Sequence, residues 1–345
     1  MDLKPSLYGL DLEEAQQVLR ENGEPAYRAR QLLQWLYAHP VEDWTEITNL
    51  PKELLAGLKT RFNLKSLKLV EALQSPNHES TKFLFETRDG HLLESVLINQ
   101  QARRTVCVST QLGCKMKCVF CASGRSFKRS LSAGEIIEQL AGIERRIMKR
   151  ATNVVYMGMG EPLDNFEATI KSLRILQADW GFGLGARRIT VSTVGITPKM
   201  KEFVKQMDGR VRLSVSLHTS DGERRNELVP VNRRYSLGDL VKTLGKIHRD
   251  LKREITFEYT LLEGVNDTLE EARGVVRIAQ PLAAKVNLIP YNPIPGAEFR
   301  RPSRERIEKF REILKKGGIR VTVRQTAGRE IDAACGQLRL DREIN

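Results

Sequence analysis

The sequence predicts an α/β fold built on a partial or full (β/α) barrel, because short strands alternate with helices along most of the chain. From about residue 104 onward seven β-rich runs occur, most of them followed by an amphipathic helical stretch: "RTVCVST", "NVVYMGM", "RRITVSTVG", "VRLSVSL", "EITFEYTLL", "KVNLIP" and "IRVTVR". Repeated strand–helix units predict a parallel sheet, and seven such units favour a barrel. The loops at the carboxyl ends of its strands are then expected to hold the chemistry.

The residues before the barrel predict a small helical module followed by a strand meander. "DLEEAQQVLRENGEPAYRARQLLQWLYAHP" predicts two helices, with Asp11 as N-cap, Gly23 as stop and Pro25 at the start of the second; "LPKELLAGLKTRF" predicts a third. Alternating strands follow, with Asp89-Gly90 as a hairpin turn. We therefore expect an N-terminal helical domain of residues 1–65, a β-meander extension of residues 66–99, a barrel core of residues 100–328 and a C-terminal tail of residues 329–345.

Composition limits the class of protein. The chain has 345 residues of which 41% are hydrophobic, enough for a sizeable core. No apolar run approaches the roughly 20 residues of a membrane helix, and the amino terminus is too acidic for a signal peptide. We expect a cytoplasmic protein with no membrane partner and, without coiled-coil heptads, a monomer. The net charge of +13 suggests a polyanionic partner such as nucleic acid, although a solvated basic face is the common alternative.

Three of the five cysteines lie in one stretch, "CKMKCVFC", as Cys114, Cys118 and Cys121. A structural zinc site normally takes four ligands, so three thiols fit it poorly. A [4Fe–4S] cluster held by three cysteines leaves one iron open to a second cofactor. Incidental buried thiols, or a zinc site completed by a distant residue, are the alternatives.

The cysteine loop, with Phe120 before its last cysteine, resembles the defining motif of the radical S-adenosylmethionine superfamily. The resemblance implies that the open iron holds S-adenosylmethionine, which one-electron reduction cleaves to a 5′-deoxyadenosyl radical. "MGMGEP" at 157–162 resembles the second signature of that superfamily. There we expect glycine because it lets backbone come close to the methionyl amine.

Motifs along essentially the whole chain resemble the RlmN/Cfr family of RNA methyltransferases: "CVSTQLGC", "VVYMGMGEPLDN", "ELVPVNRRYSL", "FEYTLLEGVNDT", "VNLIPYNP" and "IDAACGQL". The family methylates a ring carbon of adenine, C2 in the RlmN branch, in 23S ribosomal RNA and in some members also transfer RNA. The resemblance therefore implies RNA as substrate, two S-adenosylmethionine molecules per turnover, and an electron donor such as flavodoxin or ferredoxin.

The same resemblance gives roles to three further residues. Cys335 would accept a methyl group from the first S-adenosylmethionine and, after hydrogen removal by the radical from the second, add as a methylene radical to the base. Glu94 would be the proton acceptor, and Cys107 the resolving thiol that forms a transient disulfide with Cys335. Judged from the residues alone, both cysteines are as well explained as small buried hydrophobes, and Glu94 as the solvent-facing residue of an alternating strand.

Seven positions match the cofactor contacts of the family: Gly160, Glu161, Ser192, Ser216, Leu217, His218 and Asn292. For His218 a satisfied core histidine is the alternative. Arginine pairs in predicted loops could follow an RNA backbone or form a solvated face; they are Arg187-Arg188, Arg224-Arg225, Arg233-Arg234 and Arg300-Arg301.

The chain departs from the family after the cysteine loop, where "GRSFKRSL" at 124–131 is one residue shorter than usual and has Ser130 in place of asparagine. This difference leaves the choice of substrate open, and with it methylation at C8 instead of C2 by a divergent paralogue. Two other hypotheses are a radical enzyme with a non-RNA substrate and a zinc-containing RNA-binding protein without catalysis. Metal analysis separates the last from the others.

Overall fold

Three short helices precede the sheet. In the computed structural model, which describes residues 4–324 and 328–339, they are α1 (Leu12–Glu21), α2 (Tyr27–Ala38) and α3 (Lys52–Arg61). Asp11 caps α1 in a reciprocal pair of bonds with Glu14, and Gly23 follows the helix with a φ of 74°. Pro25 lies just before α2 instead of in its first turn. All three predicted helices are therefore confirmed, with one boundary moved.

Three antiparallel strands come next: β1 (Leu67–Gln74), β2 (Ser80–Thr87) and β3 (Leu92–Gln100). The predicted turn at Asp89-Gly90 joins β2 to β3, and Gly90 adopts a φ of 77° that favours glycine. Seven of the eight residues of β2 are buried. This strand therefore lies inside the molecule, covered on both faces.

The remaining strands include every run predicted for the barrel. They are β4 (Arg103–Cys107), β5 (Gln111–Gly113), β6 (Phe127–Ser130), β7 (Asn153–Tyr156), β8 (Ile189–Thr193), β9 (Arg212–Ser216), β10 (Thr256–Leu261), β11 (Lys285–Pro290) and β12 (Val321–Val323). The short β5 and β6 form a ribbon of their own. The others pair in parallel from β4 through to β12.

Amphipathic helices connect the parallel strands: α4 (Ala133–Ile147), α5 (Phe166–Gln177), α6 (Thr197–Gln206), α7 (Gly222–Leu228), α8 (Leu237–Ile247), α9 (Leu269–Ala279) and α10 (Arg304–Lys316). Hydroxyl side chains cap four of them, where Ser132, Ser236, Thr268 and Ser303 accept from the backbone of the first turn. Their apolar faces join one continuous core with the sheet.

The sheet order is β1-β2-β3-β4-β7-β8-β9-β10-β11-β12, so β4 has an antiparallel neighbour on one side and a parallel neighbour on the other. Within the described residues β1 and β12 do not pair. Residues of β3 and β12 nevertheless line the same cavity of about 540 Å³, which shows that the sheet curls. We call this space the barrel cavity. The predicted fold class is confirmed in its open form, a partial barrel.

Among the described helices, none combines the length and apolarity that crossing a membrane would require.

Candidate active site

The three-cysteine loop starts directly after β5 and is held by its own backbone. The Cys114 amide donates to the carbonyl of Ser126 at 2.9 Å, and the Cys121 amide donates to the carbonyl of Cys118 at 3.1 Å. Lys117 adopts a left-handed φ of 57° between the cysteines. The loop is therefore shaped by local contacts together with one long-range bond, from the Val119 amide to the carbonyl of Leu228 at 3.2 Å.

The chemistry of the three thiols fits an iron–sulfur cluster. Burial raises the pKa of Cys114 to about 12, and burial together with the neighbouring Cys121 and Cys114 raises the pKa of Cys118 further. Thiolates so desolvated need a strongly cationic partner. Among the described residues no three His, Cys, Asp or Glu side chains converge on one point, as a single zinc ion with bonds of about 2.3 Å would require. Ligands to three separate irons match this arrangement better than a zinc site.

Next to this loop is a smaller cavity of about 150 Å³, which we call the cofactor cavity. Six of the seven predicted cofactor positions line it: Gly160, Glu161, Ser192, Ser216, His218 and Asn292. Cys121 and Cys335 line it as well. Leu217 does not, because its side chain is fully buried in the core; its assignment remains a prediction. The cavity thus joins a cluster ligand, polar groups at strand ends and the fifth cysteine.

Asn292 offers the cofactor cavity an acceptor that none of the described residues satisfies. Its side-chain amide nitrogen donates to the carbonyl of Cys335 at 3.2 Å, whereas its Oδ1 is buried without a hydrogen-bond partner in the described part of the chain. A buried amide oxygen of this kind normally finds a partner. An amino group of a bound cofactor, such as those of S-adenosylmethionine, would supply it.

Backbone amides hold two ionisable side chains of the cofactor cavity, those of Glu161 and His218. The Glu161 carboxylate accepts from the amides of Leu163 at 3.0 Å and Val194 at 2.9 Å, and burial raises its pKa to about 7. His218 accepts from the amide of Thr260 at 3.0 Å through Nδ1, and burial lowers its pKa to about 3. His218 is therefore a neutral imidazole that leaves only Nε2 for a ligand.

The glycines of "MGMGEP" are required by the protein's own packing. A Cβ on Gly158 would lie 2.5 Å from Ser109 Oγ, and one on Gly160 would lie 2.6 Å from the Gln111 side chain. Gly160 also has a φ of 97°. Both glycines line the cofactor cavity, yet the atoms that exclude a side chain belong to the segment after β4.

The last two cysteines meet at the barrel cavity. Cys107 is the final residue of β4, and both Cys107 and Cys335 line this cavity. Burial and the neighbouring Cys335 raise the pKa of Cys107 to about 12, while Arg324 opposes the shift. Cys335 alone of the two also lines the cofactor cavity. It therefore lies where the two cavities meet.

Arg324 is a site residue that the sequence analysis missed. It follows β12 and lines both cavities. Attraction to Cys335, then to Glu258 and Cys107, raises its pKa. The sequence feature that could have revealed it is its position directly after the last parallel strand, at the edge of the sheet where the active sites of such folds lie.

Glu94 lies on the side of β3 that also carries Val96 and Ile98, two residues of the barrel cavity. Its side chain is 1% exposed, so the solvent-facing alternative is wrong. Glu94 Oε1 is 3.3 Å from Lys82 Nζ, and Oε2 accepts from the amide of Arg339 at 2.9 Å. The segment that carries Cys335 thus closes over Glu94.

Neither interpretation of the arginine pairs, contact with an RNA backbone or a solvated face, holds for Arg225. Its side chain is fully buried and donates to the carbonyls of Leu217, Val194 and Ser216 and to Asn232 Oδ1. It satisfies backbone oxygens at the ends of strands, which need donors. Arg225 is therefore a structural residue of the site.

The other pairs have different surroundings. Arg224 pairs with the buried Glu271. Arg187 and Arg188 are exposed just before β8, at the amino-terminal end of that strand. Arg301 lies close to Arg304 and to Arg329, and partial burial with repulsion from these two lowers its pKa. Because Arg329 lies on the tail that also carries Cys335, these three arginines form a basic group beside the tail.

The divergent stretch at 124–131 contains β6 and is firmly attached. Arg129 bridges Asp89 and Glu135, with its closest contacts to each at 2.7 Å. Ser130 accepts from the Gln111 side chain at 3.2 Å. The stretch forms one border of the cysteine loop.

Two family models match the chain. Residues 108–274 match the model described as the Radical SAM superfamily, and residues 6–64 match the Ribosomal RNA large subunit methyltransferase N-terminal domain. The chain is 45% identical to the probable dual-specificity RNA methyltransferase RlmN 3 of Opitutus terrae, with 99% of this chain and 96% of that protein covered. It is 42% identical to the probable dual-specificity RNA methyltransferase RlmN of Bacillus subtilis, with 97% and 93% covered.

A solved structure is similar over the same extent. The radical SAM methyltransferase from Sphaerobacter thermophilus superimposes with a TM-score of 0.92 at 45% identity, and the match covers 97% of this chain and 99% of that one. The likeness includes the N-terminal helices as well as the barrel.

Proposed function

The chain belongs to the RlmN family of radical S-adenosylmethionine methyltransferases, and we propose that it methylates C2 of an adenine in 23S ribosomal RNA or transfer RNA through an S-methylcysteine at Cys335. Its cofactors are a [4Fe–4S] cluster on three cysteines and S-adenosylmethionine. When bound, they supply the methyl group and a carbon radical that can remove a hydrogen atom. A ring carbon of adenine without a usable lone pair needs such a route.

The single observation that carries this proposal is the position of Cys335 between the two cavities. On one side are the polar residues suited to S-adenosylmethionine, and on the other are Cys107 and the strand face that bears Glu94. A thiol that receives a methyl group from one ligand and delivers it to another has to reach both. One cofactor cavity next to Cys335 is enough for two S-adenosylmethionine molecules used in turn.

The other proposed roles follow from the same surroundings. The buried carboxyl of Glu94 is the proton acceptor for the ring hydrogen. Cys107, on the cavity wall nearby, attacks the sulfur of Cys335 and frees the methylated base, which leaves a disulfide that an external reductant reopens. Arg324 stabilises negative charge on the attacking sulfur in the first methyl transfer.

RNA is supported as the substrate by the family and by the charge of +13. Arg301, Arg304 and Arg329 form a basic group beside the Cys335 segment, where phosphates of a substrate RNA would lie. The target base is expected to leave its stack to reach a thiol in a cavity.

The proposal includes the setting in which the enzyme works. A flavodoxin or ferredoxin would supply the electron, since an acidic partner complements a basic surface. RNA as substrate and reduced thiols support a cytoplasmic location. We also propose that the chain acts as a monomer, with the domain division at 1–65, 66–99, 100–328 and 329–345.

The test is to isolate the protein anaerobically with a reconstituted cluster, expose it to S-adenosylmethionine and map its peptides by mass spectrometry. A methyl group on Cys335 is expected, followed by 2-methyladenine in ribosomal or transfer RNA. Cys335→Ser should lose both products but keep the cluster, which makes it the matched control.

Two outcomes contradict the proposal. An unmodified Cys335 in protein that cleaves the cofactor would remove the methyl carrier and leave only a radical enzyme. 8-Methyladenine as the product would keep the carrier but exclude C2 as the target.

A further inference from the structure

Lys82 is a lysine in the interior of the sheet. It lies on β2, opposite Val96 of β3, and its side chain is only 2% exposed. Its Nζ is 3.3 Å from Glu94 Oε1 and donates to the carbonyl of Asp332 at 3.2 Å. A lysine is seldom buried to this degree unless it is paired. The contacts with Glu94 and Asp332 therefore account for the burial of Lys82.

Both partners of Lys82 belong to the catalytic region. Glu94 is the proposed proton acceptor, and Asp332 begins the segment that ends at Arg339, whose amide donates to Glu94 Oε2. Lys82 and Glu94 thus hold the Cys335 segment at two points, one on each side of the cysteine. Loss of Lys82 would remove its contact with Oε1 and one of the two points together.

A neighbouring cation fixes the orientation of a carboxylate, because charge-assisted contacts are short and directional. The charged group facing Glu94 from β2 is Lys82; the tail approaches with backbone atoms, and the nearby barrel cavity brings Cys107, Cys335 and Arg324.

We propose that Lys82 is a positioning residue for the proton-transfer step: its contact with Oε1 fixes the direction of the Glu94 carboxylate. This inference rests on the proposed role of Glu94 as proton acceptor. Lys82 lines neither the cofactor cavity nor the barrel cavity, so its effect on the reaction is exerted through Glu94.

The experiment resolves the reaction into steps in the full-length holoenzyme. Lys82→Met, Lys82→Arg and Glu94→Gln are compared for methylation of Cys335, for the covalent RNA–protein adduct on denaturing gels and for release of methylated RNA. Lys68→Met is the matched control, because Lys68 lies on neighbouring β1 with a side chain that is 79% exposed. It should behave as the unaltered protein.

Lys82→Met is expected to methylate Cys335 normally but to accumulate the adduct, with release slowed at least about tenfold, which is less than the roughly 10²–10⁴-fold contribution of a general base itself. Lys82→Arg, which keeps the charge, should restore most of the release rate. Release by Lys82→Met at the normal rate would overturn the inference. So would an equal loss at every step, since a purely structural residue would cause it.

Removing one member of a buried pair can unfold a protein, so a double variant gives an independent test. Lys82→Met with Glu94→Gln removes both charges and should release RNA no more slowly than Glu94→Gln alone. A slower double variant would overturn the inference, because Lys82 would then act elsewhere. If Glu94→Gln itself releases RNA at the normal rate, the assignment of Glu94 fails, a result separate from the behaviour of Lys82.

Discussion

The loop with Cys114, Cys118 and Cys121 and the pair formed by Cys107 and Cys335 are thiol groups that the fold assembles in opposite ways. The first comes from one eight-residue stretch, and the backbone of two of its cysteines bonds to carbonyls within or just after it, those of Cys118 and Ser126. The second brings the end of β4 together with a tail segment far along the chain. We call the three cysteines of the loop the local group, and the pair of Cys107 and Cys335 with its surroundings the long-range group. Its contacts are correspondingly long-range: the bond from the Arg339 amide to Glu94 spans 245 positions.

This difference separates what local spacing can specify from what tertiary structure must supply. A cluster needs three ligands around a preformed loop, and a short motif provides them. A methyl carrier has to stand between two ligands and meet a second thiol, which no short motif can arrange. Two bonds link the groups, from the Ala122 amide to the carbonyl of Gly336 and from Ser123 Oγ to the carbonyl of Leu338.

The largest expected effect comes from Cys118→Ala, which removes one member of the local group. Iron and sulfide content should fall to background, and methylated RNA should no longer form, because two thiolates cannot retain the cluster. The long-range group should survive: a mild oxidant should still join Cys107 to Cys335, detectable by peptide mapping. Failure of that disulfide to form would show that the two groups depend on each other for their structure.

A smaller effect is expected from Arg324→Met, which changes only the long-range group. Methylation of Cys335 should slow by roughly tenfold to a thousandfold, because the thiolate loses an adjacent cation. Quenched time points analysed by mass spectrometry measure this rate. The cluster should remain, and Arg320→Met, a change at an exposed residue just before β12, should have no effect. Equal slowing by both variants would contradict the role given to Arg324.

The smallest effect is a pH dependence of the resolving step. The thiolate is the attacking form, and burial, followed by the nearby Cys335, raises the pKa of Cys107 to about 12. Well below that pKa the thiolate fraction grows about tenfold for each pH unit. Decay of the RNA–protein adduct should therefore accelerate as pH rises from neutral, by up to that factor. Decay independent of pH would mean that chemistry at Cys107 does not limit the step.

Much of the local group was predictable from the sequence. The spacing of three thiols, the strand before them and the glycine motif one strand–helix unit later all lie within short windows, and the structure brings them together as expected. The cause of the glycines was not predictable, since Gly158 is required by Ser109, which lies about fifty positions earlier.

The arrangement of the long-range group could not be predicted from the residues alone. Alternation in β3 shows that Glu94 shares a face with Val96, but not which face is inside when neighbouring strands are buried on both sides. Lys82 escaped notice for the same reason, because a charged residue in a strand usually faces solvent. Arg225 was misjudged since the carbonyls it satisfies come from two separate segments, one at Val194 and one at Ser216 and Leu217.

The reach of the tail across the sheet also has a consequence for biosynthesis. Chains grow from the amino terminus, and domains fold as they emerge. The cluster loop and every residue that lines the cofactor cavity except Cys335 and Gly336 are thus already made while residues 332–339 have yet to be added. Until then Cys107 has no partner and Glu94 lacks its bond from Arg339. A product of interrupted translation could bind cofactors, yet it would possess no methyl carrier and could not modify RNA.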